Sequence, residues 1–201
     1  MISGVMVPPT GSITLGADAK PTRAGMVGVV QQAYPLLNHR TVWGNLQLVV
    51  KTEDQRKRAE ELLSHFNLAD KKQSYPLELS GGQRQRIAII QQLLASGMFL
   101  LMDEPFSGLD VRSKERVYDT IREVSVTHEH NTIIFTTHDI ESAVHLADEI
   151  WILGRQGDKA GSTIVEKIDL AQMGLAWNSE NEKHPLFWPT VQRIKTMFKE
   201  L

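Results

Sequence analysis

Two adjacent acids, Asp103 and Glu104, close the apolar run Met98-Phe99-Leu100-Leu101-Met102 and are followed by Pro105. A five-residue apolar stretch ended this way reads as a buried strand. The carboxyl ends of strands in an open α/β sheet are where ligands bind. One carboxylate there can hold Mg²⁺, directly or through water, and the other can orient or deprotonate an attacking water. Upstream, Leu79-Ser80-Gly81-Gly82-Gln83 sets a serine at a helix start with two glycines behind it. Free N–H groups at the positive end of a helix dipole suit a phosphate, and glycines let another group approach the backbone. Ser80-Gly81-Gly82 alone reads better as a plain glycine-rich helix start. The whole pentapeptide arises by chance in a chain of this length with a probability on the order of 10⁻⁴.

Three weaker constellations accompany these. Ser107-Gly108-Leu109-Asp110 makes a tight turn just after the acids, and Thr136-Thr137-His138-Asp139 ends the next apolar run. An imidazole there can hydrogen-bond a γ-phosphate. Gln32 lies between an apolar run ending at Val30 and Tyr34-Pro35-Leu36-Leu37, and its amide can coordinate Mg²⁺ or a water. Each also has a plain reading: a β-turn, an ordinary histidine, a polar loop residue.

The elements that position these residues follow from patterning. Short β-like runs fall at 12–15 and 26–30, bounded by turn residues. Thr52 and Gln55 predict a capping box, with Ala59, Leu62, Leu63 and Phe66 as the buried stripe of a helix. Lys51, Arg56, Lys57 and Arg58 near its start form a solvated face. Ser80 and Gln83 predict a second capping box, opening a helix to about Ala95. Residues 98–102 form a buried strand. A helix with Val117, Ile121 and Val124 on one face comes next, then a buried strand at 132–136, a short helix at 139–147 and a third strand at 149–153. This alternation predicts a parallel α/β sheet. Residues 177–184 read as loop. Val191, Ile194, Phe198 and Leu201 line up as one face of a terminal helix, making 154–201 an appendage to a domain spanning 1–153.

Composition narrows the function. The chain has 201 residues, 22 Lys+Arg against 24 Asp+Glu, and no cysteine. One domain with a proper core is expected at this length. The absence of cysteine excludes a disulfide scaffold, a thiolate zinc site and a cysteine nucleophile. A net charge of -2 gives no basic footprint for nucleic acid. No apolar stretch reaches the roughly 18 residues a membrane helix needs. The first residues lack the pattern of a signal peptide, so the cytoplasm is the expected compartment.

In order and spacing, Gln32, Leu79-Ser80-Gly81-Gly82-Gln83, Leu100 through Glu104, Ser107 through Asp110 and His138 resemble the ATP-binding subunit of ABC transporters. The resemblance covers about residues 1–153 and implies a P-loop NTPase-like parallel sheet, with a helical subdomain at about 45–95. It assigns Gln32 to the Q-loop, residues 80–83 to the signature motif, Asp103 and Glu104 to Walker B, Asp110 to the D-loop and His138 to the switch histidine. ATP and Mg²⁺ are then the expected ligands. Asp103 and Gln32 serve the metal, Glu104 is the catalytic carboxylate and His138 senses the γ-phosphate. Ser80, Gly81, Gly82 and Gln83 contact ATP held by a second ATP-binding subunit. Transmembrane permease subunits are the further partners, docking near residues 32–44 where Tyr34 is expected to be exposed and Trp43 is either exposed with it or packed into the core. This places the chain on the inner face of the cell membrane. Leu146-Ala147-Asp148-Glu149-Ile150 is similar to importer subunits of the nitrate, sulfonate and taurine branch.

The family's phosphate loop, Gly-x-x-x-x-Gly-Lys-Ser/Thr, does not occur; no Gly-Lys pair stands anywhere in the 201 residues. Residues 2–13 are similar to the end of the helix after that loop, which leads to the expectation that the chain starts inside that helix. A strand, the loop and most of a helix would lie upstream. Without them an unpaired sheet edge, poor stability and weak ATP binding are expected of the chain alone. A second reading is a non-catalytic helper that lends its signature motif to a complete partner. A DNA-associated relative is disfavoured, because the stretch between Gln32 and Ser80 has no room for the insertions such proteins carry.

Overall fold

The computed structural model describes residues 1–16, 18–31, 35–96, 98–127, 131–155, 161–176 and 180–200. They fall into two units, Met1–Thr136 and Thr137–Leu201. The sequence pattern places this division after 153; the observed boundary directly follows the strand of residues 132–136.

The first unit opens with a short antiparallel pair, β1 (Thr14–Leu15) and β2 (Lys20–Pro21), followed by β3 (Gly28–Val30). Three helices come next, α1 (Val42–Leu46), α2 (Glu53–His65) and α3 (Gly81–Ser96). The unit ends with β4 (Phe99–Asp103), α4 (Val111–Val126) and β5 (Thr132–Thr136). Strands β3, β4 and β5 form a parallel sheet in that order, with Val30 opposite Met102 and Asp103 opposite Thr136. Both crossovers are helical, as parallel pairing requires.

Helix α3 is the hub. Ile87, Ala88, Ile89 and Ile90 are consecutive and all buried, so the helix is apolar on every side there. Such a helix must be surrounded, and α3 packs on α1, α2, β3, β4 and α4. Gly28 allows the closest approach. A Cβ at that position would lie 2.6 Å from Ser96 Oγ and 2.9 Å from Gln92 Cβ. Gln92 Oε1 also accepts a hydrogen bond from the Val29 N–H at 3.2 Å, tying β3 to the helix. The predicted capping box of α2 is present. Gln55 N–H donates to Thr52 Oγ1 at 3.2 Å and Thr52 N–H donates to Gln55 Oε1 at 3.3 Å. Ala59, Leu62, Leu63 and Phe66 are all buried.

Strand β5 departs from the expectation of a buried strand. Thr132, Ile134 and Thr136 are exposed, Ile134 by 43%. Among the described residues it pairs with β4 alone, at the edge of their three-stranded sheet.

The second unit holds α5 (Ile140–Leu146), β6 (Glu149–Gly154), β7 (Thr163–Asp169) and α6 (Phe187–Glu200). The sequence pattern made β6 a third strand of the parallel sheet. It pairs instead antiparallel with β7, Ile150 opposite Ile168, with an irregularity between Ile152 and Leu153. The β-branched run Thr163-Ile164-Val165 supplies the partner strand that the pattern reading left unassigned. Ile152 and Ile168 join Val144, Leu170, Leu175, Phe187, Val191 and Ile194 in the core of this unit. Phe198, expected on the buried face of α6, is 49% exposed, and Leu201 lies outside the described residues. The buried Asn181 side chain donates through Nδ2 to the carbonyls of His145 at 3.0 Å and Leu175 at 3.2 Å, joining α5 to the segment before α6. Lys195 Nζ pairs with Glu141 Oε1 at 2.7 Å, linking α6 to α5. No helix among the described residues is long and apolar enough to cross a membrane.

Candidate functional site

Strand β4 delivers Asp103 to the end of the parallel sheet, and the register sets Thr136 of β5 beside it. Thr136 Oγ1 donates to Asp103 Oδ1 at 2.6 Å. That is a short hydrogen bond, at the lower end of the range for a hydroxyl donor to oxygen. The next residue leaves the strand sharply. Glu104 has φ +47°, a left-handed conformation that costs a non-glycine residue about 1 kcal/mol or more. Two contacts of the surrounding structure hold it there. Glu104 N–H donates to the Thr136 carbonyl at 3.0 Å, and its own carbonyl accepts from Ser107 N–H at 3.2 Å. Thr136 therefore touches both acids, one through its side chain and the other through its backbone.

Phe106 anchors the turn. It is 1% exposed and meets the rings of Tyr118 and Phe135 edge-on, each at 5.5 Å between centroids. An aromatic residue between two acids and a polar turn was the available signal for this role, and the motif reading passed over it. Gly108 has φ +71°, which lets the chain turn toward α4. Asp110 then caps α4, accepting from Ser113 N–H at 2.8 Å and from Ser113 Oγ at 3.2 Å. The Ser113 amide first, then its hydroxyl and the charge of Arg116, hold the Asp110 carboxyl below the usual carboxylate range.

At the start of α3, Ser80 and Gln83 cap one another. Gln83 N–H donates to Ser80 Oγ at 3.2 Å and Ser80 N–H donates to Gln83 Oε1 at 2.9 Å. Ser80 and Gly81 are exposed. A Cβ on Gly81 or Gly82 would meet nothing within 4 Å. The amino end of α3 thus faces open space, where another group can reach its N–H groups.

Gln32 and Tyr34 lie outside the described residues. The loop after them is set by the buried Asn45. Its Oδ1 accepts from Leu37 N–H at 2.7 Å, and its Nδ2 donates to the carbonyls of Leu37, Arg40 and Thr41 at 3.0 to 3.2 Å. Nothing in the residue pattern marked Asn45. Trp43, for which the sequence leaves exposure and core packing both open, is half-buried: Lys72 Nζ sits 4.0 Å from its ring centroid, and Lys72 is itself held by Glu60 at 2.6 Å.

His138 is an exposed residue of the second unit and precedes Asp139, the cap of α5. Asp139 Oδ1 accepts from Ser142 N–H at 3.1 Å and Asp139 N–H donates to Thr137 Oγ1 at 3.0 Å.

Among the described residues no group of three or more His, Cys, Asp or Glu gathers as a metal cage. Mg²⁺ in phosphate sites needs none; one or two carboxylates hold it together with substrate phosphates. The exposed Asp103 carboxylate, braced at one oxygen, fits that role.

Residues 1–107 match the family described as ABC transporter. The sulfate/thiosulfate import ATP-binding protein CysA 2 of Rhizobium meliloti is 34% identical, over 77% of this chain and 45% of its own length. The choline transport ATP-binding protein OpuBA of Bacillus subtilis is 37% identical, over 82% of this chain and 44% of its own length. The molybdenum import ATP-binding protein ModC of Vibrio vulnificus is 32% identical, over 93% and 52%. The chain spans about half the length of these curated relatives. Their cargoes are sulfate or thiosulfate, choline and molybdenum, not the nitrate, sulfonate or taurine to which residues 146–150 pointed. A solved chain from an inward-facing metal-chelate type ABC transporter superposes with a TM-score of 0.59 at 23% identity, covering 74% of this chain and 60% of that one. At that identity it supports the α/β fold alone.

Proposed function

From the premise that this chain belongs to the ABC transporter family, we propose that it is the ATP-binding, ATP-hydrolysing subunit of an importer. The observation that carries this reading is the exposed amino end of α3, whose two glycines face open space while Ser80 and Gln83 hold the helix start in place.

In this reading two ATP-binding subunits enclose the nucleotide between them. Ser80, Gly81, Gly82 and Gln83 reach the triphosphate gripped by the partner subunit, and Asp110 lies in the turn at the same junction. Asp103, with Gln32, holds Mg²⁺. Mg²⁺ bound there would supply positive charge against that of the triphosphate. Glu104 orients the attacking water and accepts its proton; the turn that presents it is fixed by Thr136 and Phe106. His138 donates a hydrogen bond to the γ-phosphate. Transmembrane permease subunits dock at the surface around residues 32–44, and ATP-driven pairing moves them. The chain then works at the inner face of the cell membrane. The domain of residues 1–153 does this work and 154–201 is its appendage, an assignment based on motif placement.

Two of the three relatives, those for sulfate/thiosulfate and for molybdenum, carry import names, which supports an importer. A small anion such as nitrate, a sulfonate or taurine is the cargo we propose, on the likeness at residues 146–150. The phosphate loop is absent from these 201 residues. The chain alone is therefore expected to neither bind ATP at micromolar concentration nor turn it over.

The test isolates the tagged chain with its partners from its own cells and measures Mg²⁺-dependent ATP hydrolysis by the assembly. Glu104→Gln is expected to abolish turnover at the site it serves while ATP stays bound. An assembly whose hydrolysis ignores Glu104→Gln rejects the reading. Turnover lost with Ser80→Arg but kept with Glu104→Gln assigns the chain to the helper role instead.

A further inference from the structure

We propose that Thr136 sets the metal preference of this site by restricting Asp103 to one coordinating oxygen. The inference rests on the reading of Asp103 as the metal-facing acid, and it adds a residue that no motif assigned. Thr136 Oγ1 donates to Asp103 Oδ1 at 2.6 Å. Parallel pairing sets the two residues opposite one another at the ends of β4 and β5. The Thr136 carbonyl holds the Glu104 N–H at 3.0 Å, so the backbone carrying the hydroxyl is fixed against the same turn.

The chemistry follows from what the bond does to the carboxylate. A donated proton draws electron density from Oδ1 and fixes the plane of the carboxylate. Oδ2 is left as the stronger donor to a cation, which favours monodentate coordination. Mg²⁺ is small, demands octahedral geometry and takes carboxylates one oxygen at a time beside its waters and phosphates. Ca²⁺ is larger and accepts bidentate carboxylates in loose geometry. A carboxylate braced at one oxygen thus suits Mg²⁺ and withholds from Ca²⁺ its second contact. Valine at 136 would keep the shape and β propensity of the side chain and lose only the donor. Thr136 is a positioning residue in this scheme; it does not touch the metal.

The experiment uses the full 201-residue chain with ¹³C-labelled aspartate carboxylates, and MgCl₂ and CaCl₂ as the probes at constant ionic strength. Asp103→Asn identifies the Asp103 signal. In the unmodified chain that signal is expected to respond to both ions, with Mg²⁺ bound at least as tightly as Ca²⁺. Thr136→Val should lower Mg²⁺ affinity by about tenfold, the low end of what losing a group that holds a metal ligand costs, and leave Ca²⁺ affinity unchanged, so that the ratio moves toward Ca²⁺. Thr136→Ser, which keeps the hydroxyl, should restore the original ratio. An unchanged ratio in Thr136→Val overturns the inference and leaves Asp103 as the metal acid. An Asp103 signal that answers to neither ion in the unmodified chain also overturns the inference, while the reading of Asp103 is judged by hydrolysis in the assembly. The amide spectrum reports whether Thr136→Val folds; if it does not, Thr136→Ala is read by the same criteria.

Discussion

Ser80 and Gln83 hold one another through two hydrogen bonds of 2.9 and 3.2 Å, and the two glycines between them face open space. The polar side chains at this helix start are therefore already engaged in shaping it. What remains for a ligand is backbone. Gly81→Ala separates the two roles. Its Cβ would meet no neighbour, and the position needs no glycine conformation. The substitution should stabilise the chain by about 0.5 kcal/mol, chiefly by restricting the unfolded state. It should also lower ATP turnover of the assembled transporter by putting a methyl group where the triphosphate must approach. Urea unfolding and steady-state hydrolysis read the opposite signs. Ser80→Ala, by contrast, should cost about 1 kcal/mol through the lost cap.

Phe106 links the core to the acids. Its ring packs on Tyr118 of α4 and Phe135 of β5, two residues after Glu104 takes its left-handed turn. Phe106→Ala should destabilise the chain by about 3–5 kcal/mol, as buried aromatic truncations do. Phe106→Leu should cost less than half of that, and its fraction folded at 25 °C should remain high. In an assembly carrying Phe106→Leu, kcat should fall more than ATP affinity, because the turn presenting Glu104 loosens while the metal-facing strand end stays paired. A parallel loss of both would place the defect in folding alone.

Local chemistry was readable in the residues. Thr52 with Gln55 and Ser80 with Gln83 each need only partners three positions apart, and both reciprocal caps are present. The apolar run before Asp103 forms β4 for a similar reason, since its length and its end are properties of the run itself. Pairing between distant segments was less visible. Strand β6 pairs with β7 because Ile152 and Ile168 both reach the core built on Phe187 and Val191, a relation no window around β6 contains. Exposure of β5 depends on which strands flank it, and its residues look like those of a buried strand. The bond from Thr136 to Asp103 spans 33 positions and exists only through the strand register.

Gly28 tests the close packing of β3 on α3. A methyl group there would stand 2.6 Å from Ser96 Oγ, 2.9 Å from Gln92 Cβ and 3.1 Å from Leu100 Cδ1. The Ser96 hydroxyl can rotate away, but Gln92 Cβ belongs to the helix and moves only with it. Gly28→Ala should therefore cost about 1–3 kcal/mol, the range for overpacking. Gly28→Ala combined with Ser96→Ala should recover only part of the loss, because the contact with Gln92 remains. Full recovery would show that the helix shifts freely.

Asp110 gives the chain a specific acid response. Its carboxyl is held below its ordinary 3.8, first by the Ser113 amide, then by the Ser113 hydroxyl and Arg116. A lowered folded-state value means the ionised form is favoured by folding. Its contribution is complete above the ordinary carboxylate range and is lost as pH falls through the lowered value. Asp110→Asn keeps an oxygen for the Ser113 N–H, and asparagine caps helices about as well as aspartate. The variant should thus match the parent near neutral pH, and the gap between them should appear only below about pH 4. Urea unfolding at stepped pH checks this. Salt sharpens the test. Arg116 acts through charge and is screened at about 0.5 M salt, whereas the hydrogen bonds from Ser113 are contact interactions that salt leaves largely intact. The Ser113 bonds lead, so most of the acid response should survive added salt. If about 0.5 M salt removed it, the charge of Arg116 would be the dominant cause and the cap geometry a minor one.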